Sequence, residues 1–240
     1  MTKVIDPPDR DTATRPEPSP QSESNRDRVS RRQVDKFAER RTELADAALQ
    51  TLAELGYART SLREIAQNSG FSHGVLHYYF SDKVDLITHC VKRYKAQCVL
   101  RYDQIVATAG TARALADGFA EGLAATARED APLHRLWYDL RSQSMFEDSF
   151  RADVLEIDDS LQRMIWRIVS RYSELTGAPL TVTQPAAYAI FDGLFQRALL
   201  HHLAGSADAL TALTNDVRHL LPRLVDTMRK TEPAALITRD

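Results

Sequence analysis

Between Thr60 and Lys83 the chain concentrates hydroxyl, imidazole, phenol and ammonium side chains, groups that can donate hydrogen bonds or charge to an anion such as a phosphate. Ser61 stands three residues before Glu64, the spacing of a capping box. Ser72 heads a second short segment, and the start of a helix leaves backbone N–H groups open to phosphate oxygens. Gly70 permits a tight turn between the two segments, and Gly74 removes side-chain bulk so that a backbone or phosphate can approach. Such a pair of short helices after a longer one is the arrangement of a helix-turn-helix. The second segment spans about two turns, too few for a helix that stands alone, so its neighbours must hold it.

Those neighbours are legible in the hydrophobic periodicity. From near Val34, Phe37, Leu44, Ala48, Leu52 and Leu55 recur at helical steps up to Gly56. Ser81 is read as the cap of a fourth helix, with Asp82 in its first turn, carrying Val84, Leu86, Ile87, Val91, Tyr94 and Cys98. Further helices are expected over 111–128, from Pro132, over 149–175, from Pro185 to about Leu203, and over 206–229, the last kinked at Pro222. Leu180–Val182 alone looks strand-like. The expectation is an all-α chain of about nine helices. A disordered, Pro-rich and Arg-containing arm (1–33) precedes a helix-turn-helix domain (34–80). A helical effector-binding and dimerisation domain (81–230) and a tail (231–240) follow.

In the segment 56–83 the sequence resembles the TetR family of bacterial transcription regulators. Gly56-Tyr57, Thr60-Ser61, Ile65-Ala66, Gly70-Phe71-Ser72-His73-Gly74 and Leu76-His77-Tyr78-Tyr79-Phe80, with Lys83, follow the family's motif over about residues 36–85. The resemblance implies that Ser72, His73, Val75, His77 and Tyr78 face the major groove or its phosphates. It implies phosphate contacts for Tyr79 and Lys83, with Gly74 leaving room. Thr60 and Ser61 would set the preceding helix against the DNA backbone. His77 stands where the family usually has Tyr, exchanging a phenol for a shorter ring whose charge depends on pH. Val75 stands where a small polar residue is common, and either meets a thymine methyl or packs. Asp192-Gly193-Leu194-Phe195 is weakly similar to a segment of the choline-responsive members. Phe80 and Leu76 are read as core. The arginines at 26, 28, 31 and 32 are read as solvated or as a minor-groove arm.

The second half is expected to sense a ligand and to pair two chains. Trp137, Tyr138, Arg141, Phe146, Met164 and Trp166 are the candidate effector pocket, with Arg141 as a group that could hold a carboxylate or carbonyl. Phe191, Leu194, Leu213, Val217, Leu220 and Leu224 lie on wide apolar stripes of the last two helices. Such stripes suit burial both in the chain and against a partner. The resemblance implies a homodimer through these helices. Its two recognition helices would meet successive major grooves of a double-stranded palindromic operator, about 34–36 Å apart. It also implies a small-molecule effector that releases the DNA.

Composition agrees. Of 240 residues, 43% are hydrophobic and 27% charged, the balance of a soluble globular protein. The net charge is −2, distributed unevenly. Residues 26–95 carry +4 and residues 96–240 carry −4, which suggests a polyanionic partner for one part only. Cys90 and Cys98 lie too far apart on one helix for a disulfide, roughly 12 Å. No apolar run approaches the ~20 residues of a membrane span, and no signal peptide is evident, so a cytoplasmic location is expected. No Glu-x-x-His, His-Glu-x-x-His, G-x-S-x-G or phosphate-loop pattern occurs. The reading is therefore a regulator, with no catalytic residues, metal or cofactor. The rival is an all-α ligand-binding protein that keeps the fold without the DNA function, a possibility His77 raises.

Overall fold

In a computed structural model, residues 20–56 and 60–226 are described, with side chains from Arg31 onward. Residues 1–19, 57–59 (with Tyr57 of the motif) and 227–240 (with the expected tail, 231–240) lie outside them. Nine α-helices make up the architecture of the described residues. They are α1 (Pro20–Leu55), α2 (Leu62–Ser69), α3 (His73–Tyr79), α4 (Lys83–Thr108), α5 (Ala112–Glu129), α6 (Ala131–Gln143), α7 (Arg151–Thr176), α8 (Gln184–Leu203) and α9 (Ala209–Leu220). The all-α expectation holds, and the 111–128 and 149–175 segments appear as α5 and α7 within a residue or two. The chain divides into two compact units, 1–42 and 43–240, with the boundary inside α1.

In the first unit, helical backbone begins at Pro20 rather than near Val34, so residues 20–33 of the arm expected to be disordered are helical. No proline or glycine interrupts residues 21–55, so nothing stops a helix from running back beyond its apolar stripe. Val34 and Phe37 are exposed. The stripe is buried from Leu44 to Leu52.

In the second unit one contiguous core runs from Leu44 to Val225. Leu44, Ala45, Ala48 and Leu52 of α1 pack with Leu62 and Ile65 of α2, Leu76 of α3, Phe80, and Leu86, Ile87 and Val91 of α4. The short helices are thus held from both sides. The capping box is complete: Glu64 N–H donates to Ser61 Oγ at 3.2 Å, and Ser61 N–H donates to Glu64 Oε2 at 2.8 Å. Gly70 ends α2 at φ +73°, a conformation that a Cβ would strain. Ser72 caps α3 through Val75 N–H. Ser61→Ala should cost about 1 kcal/mol and lower Tm by about 2–4 °C in a calorimetric scan. An unchanged Tm would mean that the box contributes nothing net.

Two local expectations are corrected. The cap of α4 is Asp82, whose carboxylate accepts from Asp85 N–H, while Ser81 sits one residue outside and donates its N–H to Asp85. Pro222 does not kink the last helix. α9 stops at Leu220, and Leu221–Leu224 tighten into a 3-10 turn, because the proline ring and its missing N–H oppose another α-turn. The strand-like Leu180 finds a partner beyond that turn. It forms an isolated antiparallel bridge with Val225, with Thr181 N–H donating to Leu224 O and Asp226 N–H to Pro179 O.

The bundle is α4–α9. α5 packs on α9, α4 on α7, and α8 on both α7 and α9. Gly122 lets α4 and α5 approach closely, since a Cβ there would sit 3.1 Å from Ile105. Two elements reach from this bundle back to the helix-turn-helix. α4 begins there, with the Cys90 thiol donating to Ala45 O. α6 sends Arg135 to the carbonyls of Ala53 and Glu54, at 2.7 and 3.1 Å, at the end of α1.

Candidate DNA-reading helix and ligand cavity

The outward face of α3 carries the groups the sequence assigned to DNA. Ser72, His73, Gly74, His77 and Tyr78 are exposed, Tyr78 by 72%. The His73 and His77 rings lie 4.3 Å apart, edge to face, and Tyr78 stacks edge-on to Tyr79 at 4.9 Å. A Cβ added at Gly74 would meet nothing within 4 Å. The fold itself leaves this position open to a larger residue. Lys83 is half-buried at the first turn of α4, a place where the helix dipole disfavours a cation and a bound phosphate would favour one.

Other members of the set have structural partners within the chain. Thr60 is buried, and its hydroxyl donates to Gly56 O. It closes the end of α1 rather than facing outward. Ser61 is exposed but occupied by its own capping box. Val75 and Tyr79 are half-buried and pack on the core, so packing accounts for at least part of Val75.

Deeper in the bundle, residues of α4, α5, α6, α7 and α8 line a cavity. Trp137, Tyr138 and Met164 line it, as expected from the sequence. Phe146 does not, since it is 83% exposed beyond the end of α6. Trp166 packs half-buried on the core without lining the cavity. Arg141 is already matched: it pairs with Asp192 at 2.6 Å and Asp158 at 3.2 Å. Tyr138 OH donates to Asp192 and Tyr188 OH to Asp158. This network ties α6, α7 and α8 together at the cavity edge and uses both carboxylates.

The sequence reading missed the groups at the centre. Lys95 of α4 is 4% exposed. Its ammonium lies 2.9 Å from His134 Nδ1, 5.3 Å from the Trp137 ring centre and 5.7 Å from that of Tyr94. Burial pulls its pKa down to about 8, partly offset by Cys98 and Asp192. Burial, reinforced by the Lys95 and Arg101 charges, holds His134 well below its ordinary value. At neutral pH the pair is therefore an ammonium beside a neutral imidazole. An ammonium can only donate, so Nδ1 accepts and the ring proton sits on Nε2.

Cys98, Asp130 and His134 also bring a thiol, a carboxylate and an imidazole within 4.8 Å of one another, which the sequence spacing did not suggest. Arg101 already pairs with Asp130, and Lys95 faces His134. Burial pushes the Cys98 thiol up, against the pull of Lys95. Two resident cations and a protonated thiol oppose a metal ion there. Cys90 and Cys98 are both buried free thiols. Among the described residues, no helix is long and apolar enough to cross a membrane.

The expected interface residues face mostly inward. Phe191 lines the cavity, and Leu213, Val217 and Leu224 are at most 5% exposed within the single chain. All four belong to the buried core of the chain. Leu194 and Leu220 remain half-buried. The apolar groups that α8 turns outward are Leu200 and Leu203, 68% and 45% exposed.

Comparison with known proteins agrees with this geometry. Residues 44–90 match the sequence model of the bacterial regulatory proteins of the tetR family. The HTH-type transcriptional regulator BetI of Burkholderia thailandensis is 30% identical over 197 residues, spanning 76% of this chain and 93% of that protein. The regulator FadR of Bacillus subtilis, crystallised with stearoyl-CoA, is 22% identical with a TM-score of 0.58. The match covers 75% of this chain and 96% of FadR. A regulator of Saccharomonospora viridis in complex with choline is 16% identical with a TM-score of 0.63, over 78% of this chain and 98% of that one. The two structures share the fold. All three proteins are transcriptional regulators rather than enzymes. With the motif, the order of the helices and a relative along most of its length in agreement, the chain belongs to the TetR family of bacterial transcription regulators.

Proposed function

We propose that the protein is a cytoplasmic homodimeric repressor. It holds a palindromic operator through α3 and lets go when a small molecule enters the bundle cavity. The observation that carries this reading is the sharing of elements. α4 and α6 line the cavity with Lys95, His134 and Trp137, and the same two helices hold the helix-turn-helix through Cys90 and Arg135. A ligand that displaces either helix acts on the attitude of α3. The shift it can produce is bounded by its differential affinity for the two states.

The dimer is assigned to the outward face of α8, with Leu200 and Leu203, together with the half-buried Leu194 and Leu220. Phe191, Leu213, Val217 and Leu224 contribute by holding these helices from within. Choline and stearoyl-CoA, bound by the two structural neighbours, are chemically unlike, so the neighbours leave the ligand of this chain open.

The test is selection of genomic fragments by the purified protein. One palindromic site should be enriched and should be lost with Tyr78→Ala. Its complex should contain an even number of protomers by light scattering. Absence of any enriched site at moderate salt would instead favour a ligand-binding protein without the DNA function.

A further inference from the structure

We propose that the cavity recognises an organic acid, with the ligand's carboxylate seated on Lys95 and its apolar body against Trp137 and Phe191. The inference specifies the ligand of the effector cavity proposed above.

It rests on an imbalance of donors over acceptors. Lys95 is a buried ammonium with a neutral partner: the one hydrogen bond in reach is His134 Nδ1 at 2.9 Å. Two of its N–H groups are therefore left to the cavity it lines. That bond fixes the His134 proton on Nε2, which is buried and has no acceptor. Trp137 Nε1–H is buried and has no acceptor either. All three residues line the cavity. The carboxylates that might have answered them are engaged elsewhere: Asp192 and Asp158 by Arg141 and two tyrosines, Asp130 by Arg101. Buried donors without acceptors are costly and uncommon in folded proteins. A group that supplies two anionic oxygens is what this cluster lacks, and the remaining walls suit an apolar body.

The same geometry opposes a cationic ligand. Lys95 already holds a positive charge 5.3 Å from the Trp137 ring centre, the place a quaternary ammonium would take. Arg141, the sequence candidate for a carboxylate, is neutralised by two aspartates. The recognition role passes from Arg141 to Lys95.

The purified full-length protein is titrated with straight-chain and phenyl-terminated carboxylates of about two to twelve carbons, a range that spans small and drug-sized ligands. Alcohols and trimethylammonium salts of the same lengths run alongside. Tryptophan fluorescence and thermal shift are the readouts. At least one carboxylate should bind, about tenfold or more tighter than its alcohol, as expected of a charge-assisted bond. Lys95→Met should erase that preference while leaving the alcohol's affinity in place, and its own melting curve reports that it is folded. Three results overturn the inference: no carboxylate binds, the trimethylammonium salts bind better, or Lys95→Met keeps the preference. Operator release is followed in parallel. Carboxylate binding without release would sink the effector reading and spare this one. Release by a cationic ligand alone would do the reverse.

Discussion

Lys95→Met should be more stable than the parent at pH 7, and the difference should shrink by about 3 kcal/mol as the pH rises through 8 toward 10.5. Burial lowers the lysine from 10.5 to about 8, and roughly 1.4 kcal/mol attaches to each unit. Below pH 8 both folded and unfolded chains hold the proton, and the folded state carries the whole cost of a desolvated ammonium. Between 8 and 10.5 the unfolded chain binds more protons than the folded one, so stability rises with pH and the cost is relieved. The groups facing Lys95 are Tyr94 and Cys98 from α4, Asp130, His134 and Arg141 at α6, and Asp192 from α8. All are present in both proteins, so the difference between their urea curves isolates the lysine. The measurement is that difference at pH 7 and pH 10, at one protein concentration. A variant less stable than the parent at pH 7 would mean that Lys95 is a net structural partner. The expected result has a functional sense: a costly buried charge persists where binding needs it.

The helix-turn-helix was legible because its signals are local. Ser61 with Glu64, Gly70, and Ser72 with Val75 each act within four residues. Exposure on α3 followed from the same spacing, since Leu76 and Phe80 had to face in. Thr60 was assigned to the DNA backbone by resemblance alone, and nothing in its local spacing shows that its hydroxyl bonds backward to Gly56. The cavity was legible only in its large aromatics. Its polar centre joins residues from α4, α6 and α8, and no pattern within one segment brings Lys95 to His134 or Arg141 to Asp192. One signal was available for Lys95. It falls on the stripe of Ile87, Val91, Cys98 and Tyr102, all buried, so a charge stands where the period asks for an apolar group. The wide stripes of α8 and α9 gave burial correctly. They could not separate burial in the chain from burial against a partner, because both demand the same residue types.

Tyr78→Ala and Lys83→Ala should both weaken operator binding, and their salt dependence should tell the two contacts apart. Tyr78 is 72% exposed at the end of a seven-residue helix, so its loss should leave Tm nearly unchanged. If its phenol or ring meets DNA, each protomer loses about 1–2 kcal/mol, and a dimer loses about 100-fold in affinity. A phenol releases no counterion, so the slope of log K against log salt should stay the same. Lys83 differs: an ammonium on a phosphate releases about one cation, so a dimer should lose about two units of slope along with affinity. Its position at the first turn of α4 supports this assignment, because a cation there opposes its own helix dipole and an anion nearby offsets that cost. Fluorescence anisotropy on the selected operator between about 50 and 200 mM salt, the range over which such contacts are expressed, measures both. Equal slopes for Lys83→Ala and the parent would place the lysine off the phosphate and return it to the packing of α4. Unchanged affinity for Tyr78→Ala would leave the exposed face of α3 without its assigned partner.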